Sequence, residues 1–361
     1  MNLSKQCLMF FLILILVGCN KAETESKDQG ITDTETTSKP LDEMTVVAEK
    51  LDIPWSIQKE EDTFYISERN GTIAVIENGK SHRENILLKK VLSSQPEAGL
   101  LGFVLSSDFK QSQQAFAYYT YDQEGESFNR IIVLKRENHR WKEIRTLLDK
   151  IPSGQYHHGG RMKIGHDHKL YITVGDALNE ERAQNISSLN GKILRMKLDG
   201  TIPEDNPFPN SYVYSYGHRN SQGLVWNENG QLYSSEHGPS AHDEINLITP
   251  GNNYGWPIIK GDEAKTNMQN PLIHSGKDTW APSGIAYYKK NLYIAMLRGE
   301  SVKRFDIQSK VMHNVVTGVG RIRDVFIEGD YLYFITNNTD GRGVPKPEDD
   351  KLYMIKLSET S

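Results

Sequence analysis

The chain is poor in cysteine, in surplus positive charge and in long apolar runs. Its 361 residues include only two cysteines, Cys7 and Cys19. Both lie before residue 20, so the body of the chain has no pair for a disulfide and no thiolates for a metal. The 42 Lys and Arg are outnumbered by 47 Asp and Glu, for a net charge of −5. Proteins that track nucleic acid carry a basic face, so nucleic acid is not an expected partner. No apolar run reaches the roughly 20 residues that a spanning helix needs. His218, His237 and His242 lie near one another, but none forms the short paired spacing of a zinc-binding helix.

What is present begins with an address. Lys5 precedes the apolar run from Leu8 to Val17, which ends in Leu16-Val17-Gly18-Cys19. A charged start, an apolar middle and a small-residue end make a secretory signal. The ending resembles a bacterial lipoprotein signal, in which Cys19 receives the lipid; the alternative is an ordinary signal with Cys19 incidental. Residues 1–18 are expected to be the signal and 19–44 a tether of Glu, Thr, Ser, Asp and Lys, too polar to bury a core. Residues 45–361 are expected to form the folded domain, outside the cytoplasm and held to the cell-envelope membrane by lipid alone.

From residue 45 the pattern becomes short alternating strands. Asn78-Gly79 and Asn229-Gly230 read as hairpin turns, because these residues accept positive φ at low cost. An aromatic strand centre recurs at Tyr65, Tyr118, Tyr171, Tyr233, Tyr293 and Tyr333, every 40 to 62 residues. Similar strands at that interval predict an all-β, six-bladed β-propeller of four-stranded blades. A pair of packed sheets is the competing architecture. The last strand, Lys351–Ile355, is expected to pair with the strand after residue 45 and close the ring.

Four groups of side chains could do chemistry. His157 stands between Tyr156 and a glycine pair further on, with backbone room for a ligand. If the strand Leu170–Val174 is the inner strand of its blade, Asp176 returns beside His157 and could orient it as a general base; a surface histidine is the bland alternative. Arg219-Asn220, after Gly217-His218, could hold a carboxylate or stabilise developing negative charge, or could form a structural salt bridge. Arg298, Arg321 and Arg323 would suit a multiply anionic ligand if they converge, and are otherwise solvated charges. Gly238-Pro239 with Asp243-Glu244 offers hard oxygen donors suited to calcium.

Taken in order, these residues match a family. The run Glu97-Ala98-Gly99-Leu100-Leu101-Gly102-Phe103 is followed by His157-x-Gly159-x-Arg161, Val174-Gly175-Asp176 and Gly191-Lys192-Ile193-Leu194-Arg195. Then come Gly217-His218-Arg219-Asn220-x-Gln222-Gly223-Leu224, Glu236-His237-Gly238-Pro239, Asn253-Tyr254-Gly255-Trp256-Pro257 and Arg321-x-Arg323-Asp324-Val325. Across residues 45–356 the chain resembles the soluble pyrroloquinoline quinone (PQQ)-dependent glucose/sorbosone and aldose sugar dehydrogenases. The resemblance implies oxidation of an aldose at C1 to a lactone, with hydride transfer to the quinone. It implies that His157 is the general base, Asp176 its orienter and Arg219 the stabiliser of charge on the quinone oxygen. Glu97, His157, Arg219, Asn220, Arg298, Arg321 and Arg323 would surround PQQ. The carbonyls of Gly238 and Pro239 would bind the Ca²⁺ that polarises it. No haem-attachment motif is present, so an external electron acceptor is implied.

Three departures stand out. Glu97 replaces the glutamine of the family's glucose dehydrogenases, and Arg298 replaces a lysine. The segment Ile258–Trp280 is short, which puts a second calcium site in doubt; Trp280 could flank the ligand or pack in the core. Two other functions compete: a calcium-dependent lactone hydrolase of propeller fold, and a non-catalytic propeller that only binds.

Overall fold

The computed structural model describes residues 43–357. The expected signal, Cys19 and nearly all of the tether lie outside them. The described chain is all-β: four four-stranded sheets and one eight-stranded sheet, with two helices of four residues each. The eight-stranded sheet is two antiparallel meanders, Pro54–Leu87 and Leu100–Pro152, joined by a parallel contact of two residues on each side.

Successive meanders touch through their first strands. Ser56 Oγ donates to the carbonyl of Phe103, and Arg161 Nε donates to that of Gln222. Glycine makes the closest approaches possible. A Cβ on Gly102 would lie 2.1 Å from the Gly160 carbonyl, one on Gly223 2.4 Å from that of Ser283, and one on Gly284 1.8 Å from Asp324 Oδ1. Asp324 Oδ2 accepts from the amide of Ile57, which returns the chain of contacts to its start. This is the arrangement of a β-propeller, not of two packed sheets.

The repeated tyrosines do mark equivalent strands, but these are second strands. Leu170–Val174 is therefore not innermost; that place belongs to Met162–Ile164. Three of the inner strands keep a glycine where they crowd a neighbour, whereas large rings fill the wider space between neighbouring sheets. Tyr118, Tyr233 and Tyr293 each lie in a core cluster between sheets and are almost fully buried.

The turns follow the sequence closely. Asn78 and Gly79, with φ of 52° and 70°, join Thr72–Glu77 to Lys80–Leu87 as a two-residue loop. At Asn229-Gly230 the hairpin is present but its loop is longer. There Asn227 Oδ1 accepts from the amides of both Asn229 and Gln231, so a side chain replaces tight-turn geometry. Closure is as expected: Thr45–Ala48 pairs with Leu352–Lys356.

Lys192 is buried, which pushes its amine down to about 7, and among the described residues no carboxylate pairs with it. Its Nζ donates to the carbonyls of Arg182, Ala183 and Asn190 at 2.8, 2.9 and 2.7 Å, one for each N–H. It pins the segment after Asp176 against the strand Lys192–Lys197. Lys192→Met should therefore lower stability by about 2–4 kcal/mol, measured by urea unfolding; an unchanged midpoint would contradict this role.

Candidate functional site

Backbone glycines build the site. Gly159 and Gly160 have φ of 66° and 95°, and His157 itself sits at 62°. A Cβ on Gly175 would lie 1.9 Å from the His157 carbonyl, so glycine lets the histidine loop rest on the end of Lys169–Val174. There His157 Nδ1 lies 2.7 Å from Asp176 Oδ1. Asp176 is 1% exposed. Its carboxylate also accepts from the Leu178 amide at 2.9 Å and from Trp256 Nε1 at 2.9 Å. Three donors fix the carboxylate, and the carboxylate fixes the ring, with Nδ1 as the donor. Nε2 is left facing the cavity that His157 lines.

The second motif is stitched to the first. The Asp176 amide donates to the Arg219 carbonyl at 2.8 Å, and Asn220 Oδ1 accepts from the Gly159 amide at 3.1 Å. Among the described residues no carboxylate forms a salt bridge with Arg219. Its guanidinium lies 5.4 Å from the Trp256 ring centre, and Nη1 donates to the His237 carbonyl. Its Nε is buried without a partner. Burial lowers its pKa, so the charge lacks solvation.

These groups line one cavity of about 920 Å³. Glu97, His157, Arg219, Asn220, Gly238, Pro239, Arg298, Arg321 and Arg323 all border it; Asp176 stands behind His157. Six arginines line the walls against four carboxylates. Arg321 and Arg323 share one of these, Asp340: Arg321 Nη2 at 2.8 Å, Arg323 Nη2 at 3.7 Å. Burial pushes Arg323 down to about 9, the mark of a guanidinium short of counter-charge. The convergence suits a polyanion.

Gly238 is held by Asp243, whose Oδ1 accepts its amide at 2.8 Å while Oδ2 accepts from Trp280 and Ala281. Among the described residues no hydrogen bond is made to the Gly238 or Pro239 carbonyl. Two uncommitted carbonyls fit a hard cation. Glu244 instead points to a smaller adjoining space, and burial pushes its carboxyl up to about 8. His218 is tied to Ser215 and Glu236. Trp280 packs in the core with Tyr233 and Ile285 rather than lining the cavity.

The sequence motifs missed several wall residues. Arg69, Asp340 and Arg342 border the cavity, from loops without a chemical signature. Arg342 pairs with Glu97 at 2.6 Å and lies over the Tyr156 ring at 5.4 Å. The carboxylate of Glu97 therefore faces a partner of its own on the rim, and its pKa is lowered: burial raises it, but Arg342 and neighbouring cations outweigh burial.

His158, next to the candidate base, is 2% exposed. Ser153 Oγ lies 2.8 Å from its Nδ1 and the Pro96 carbonyl 3.0 Å from its Nε2. This pattern suits a neutral ring, and burial lowers its pKa below the ordinary 6.5. The folded ring binds a proton less readily than the unfolded one. Its contribution to stability is then complete above about pH 6.5 and is lost as pH falls below it. His158→Gln should flatten the acid limb of a stability–pH curve; parallel curves for the two proteins would refute this.

Comparison with known proteins supplies a context. The glucose/sorbosone dehydrogenase family profile matches residues 51–346. Quinoprotein glucose dehydrogenase B of Acinetobacter calcoaceticus is 36% identical over 193 residues, 45% of this chain and 40% of that protein. The chain thus spans about two fifths of that relative. The aldose sugar dehydrogenase YliI of Escherichia coli is 31% identical over 341 residues, 82% of this chain and 90% of the relative. The PQQ-bound aldose sugar dehydrogenase of Streptomyces coelicolor superposes with a TM-score of 0.81 at 35% identity, covering 87% of this chain and 97% of that one.

Proposed function

The chain belongs to the glucose/sorbosone dehydrogenase family, a family of oxidoreductases, and on that premise we propose that it oxidises an aldose at C1 to the lactone with PQQ and Ca²⁺. The observation that carries this is the pairing of His157 with Asp176 at the wall of an arginine-rich cavity. Reading the eight-stranded sheet as two blades, we take the propeller to be six-bladed.

Bound in the cavity, PQQ supplies a two-electron acceptor and calcium a Lewis acid. Arg298, Arg321 and Arg323 would hold the carboxylates of the cofactor, with Glu97 and Asn220 at its edges. The Gly238 and Pro239 carbonyls would hold the calcium. His157 Nε2 would take the proton of the C1 hydroxyl as the C1 hydrogen leaves as hydride to the two-electron acceptor. Asp176 keeps Nδ1 protonated, so that Nε2 has its lone pair free, and stabilises the imidazolium that forms. The buried guanidinium of Arg219 would stabilise negative charge developing in the cavity; it is already desolvated, so water screens its field little.

The arginines favour this reading over a lactone hydrolase, which has no need for a polyanion site. A purely binding propeller has no need for His157 oriented by Asp176. The external electron acceptor belongs to the proposal. So does a lipid on Cys19, which is supported by the Leu16-Val17-Gly18-Cys19 ending alone. Among the described residues no helix is long and apolar enough to cross a membrane. The test is reconstitution: the purified chain, PQQ and Ca²⁺, with dye reduction followed across an aldose panel. Sugar-dependent reduction is expected; PQQ binding without reduction by any aldose would overturn the enzymatic reading.

A further inference from the structure

Away from the cavity, three metal-ligating side chains converge where the first two meanders join. His82 and Glu84 alternate on Lys80–Leu87 and so share one face of the strand. His139 comes from the next meander, in the two-residue loop between Glu126–Glu137 and Arg140–Pro152. Asn138 and His139 hold φ of 51° and 58° there, a conformation that costs a histidine some strain. The turn brings the imidazole of His139 to Glu84, across the seam where Ile86 pairs with Trp141.

The spacings are those of a coordination shell. His82 Nε2 and His139 Nδ1 each lie 3.3 Å from the same atom, Glu84 Oε1. That is long for a good N–H···O bond, which falls at about 2.7–3.2 Å. It matches the edge of a tetrahedron, about 3.3–3.4 Å when the metal–ligand bonds are about 2.0–2.1 Å. The three donor atoms all lie within 4.8 Å of one another, so a small rotation of the exposed rings closes the third edge. Arg136 grips the same carboxylate, Nε to Oε2 at 2.8 Å and Nη2 to Oε1 at 2.6 Å, and its Nη2 lies 3.5 Å from His139 Nδ1. It serves as the outer partner that fixes a ligating carboxylate. The side chains of His82 and His139 are 45% and 78% exposed, which leaves a fourth position for water.

We propose that His82, Glu84 and His139 form a binding site for a borderline divalent cation such as Zn²⁺, bridging the first two meanders. Two imidazoles and one carboxylate suit zinc; calcium prefers six to eight oxygens. The bound ion clips the exposed hairpin that carries His139 to the neighbouring strand. The site stands apart from the cavity, so it is testable whether or not the proposed dehydrogenase activity holds.

The experiment is a calorimetric Zn²⁺ titration of the whole folded chain, stripped by chelator and kept in excess Ca²⁺. One saturable equivalent and a rise in the thermal midpoint are expected. His82→Ala or His139→Ala should weaken binding by at least about tenfold, and the double variant should abolish both signals. Both rings are exposed, so these variants should fold, which circular dichroism checks. As a second readout, Co²⁺ at the site should give a tetrahedral visible spectrum that His82→Ala removes. No saturable uptake, or uptake unchanged in the double variant, would overturn the proposal.

Discussion

His157→Ala is expected to lower kcat on an aldose by about 10²–10⁴-fold, the usual contribution of a positioned general base, while PQQ still binds. The argument is geometric. The His157 ring is held through Nδ1 by Asp176 Oδ1 at 2.7 Å, and its other nitrogen is the one available to substrate. Removing the ring leaves the hydroxyl proton with water as its only acceptor. The arginines opposite are untouched, so the anionic ligand keeps its anchors. Asp176→Asn should cost less, because the ring remains and keeps an amide oxygen to lean on, but loses the negative charge that stabilises its imidazolium. Turnover of the PQQ-loaded variants and PQQ affinity by fluorescence quenching separate the effects. Full activity in His157→Ala would remove the residue from its proposed role; loss of PQQ binding would recast it as a binding group.

Replacing both Arg321 and Arg323 by methionine is expected to weaken PQQ binding by on the order of a hundredfold or more, since each charge-assisted hydrogen bond contributes about 1.5–3 kcal/mol. Both guanidiniums lean on Asp340, and Arg323 also donates to Asn337 and Gln222 at 2.9 and 2.8 Å. Removing them strands a buried carboxylate, so instability could mimic lost affinity. Asp340→Asn in the same background removes that difficulty by neutralising the orphan. Weak PQQ binding in the stable triple variant is the expected result. Affinity at the unsubstituted level would show that the cofactor is held elsewhere.

The sequence was informative where backbone chemistry is local. Asn78-Gly79 specified its turn because both residues tolerate positive φ. The tyrosine repeat marked equivalent strands because each meander buries a ring against its neighbour. It could not say which strand is innermost, since that depends on how closely glycines such as Gly102 and Gly284 let first strands approach. The motif residues converge because the Asp176 amide donates to the Arg219 carbonyl, the Gly159 amide donates to Asn220 Oδ1, and the Asp176 carboxylate holds the His157 ring. The wall from the late loop was illegible. Arg342 reaches Glu97 across 245 residues of sequence, and nothing in Gly341-Arg342-Gly343 announces a partner. Asp340, which partly neutralises the arginine pair, was missed for the same reason.

The central claim is that His157 and the arginine cavity together remove hydrogen from the C1 of an aldose. The most direct measurement is anaerobic single turnover. The PQQ- and Ca²⁺-loaded chain is mixed with an aldose carrying either hydrogen or deuterium at C1, and the cofactor spectrum is followed. The account predicts one equivalent of cofactor reduced, a slower rate with deuterium, lactone as product, and a rate in His157→Ala reduced in step with kcat. An unchanged cofactor spectrum with every aldose, despite tight PQQ binding, would contradict it.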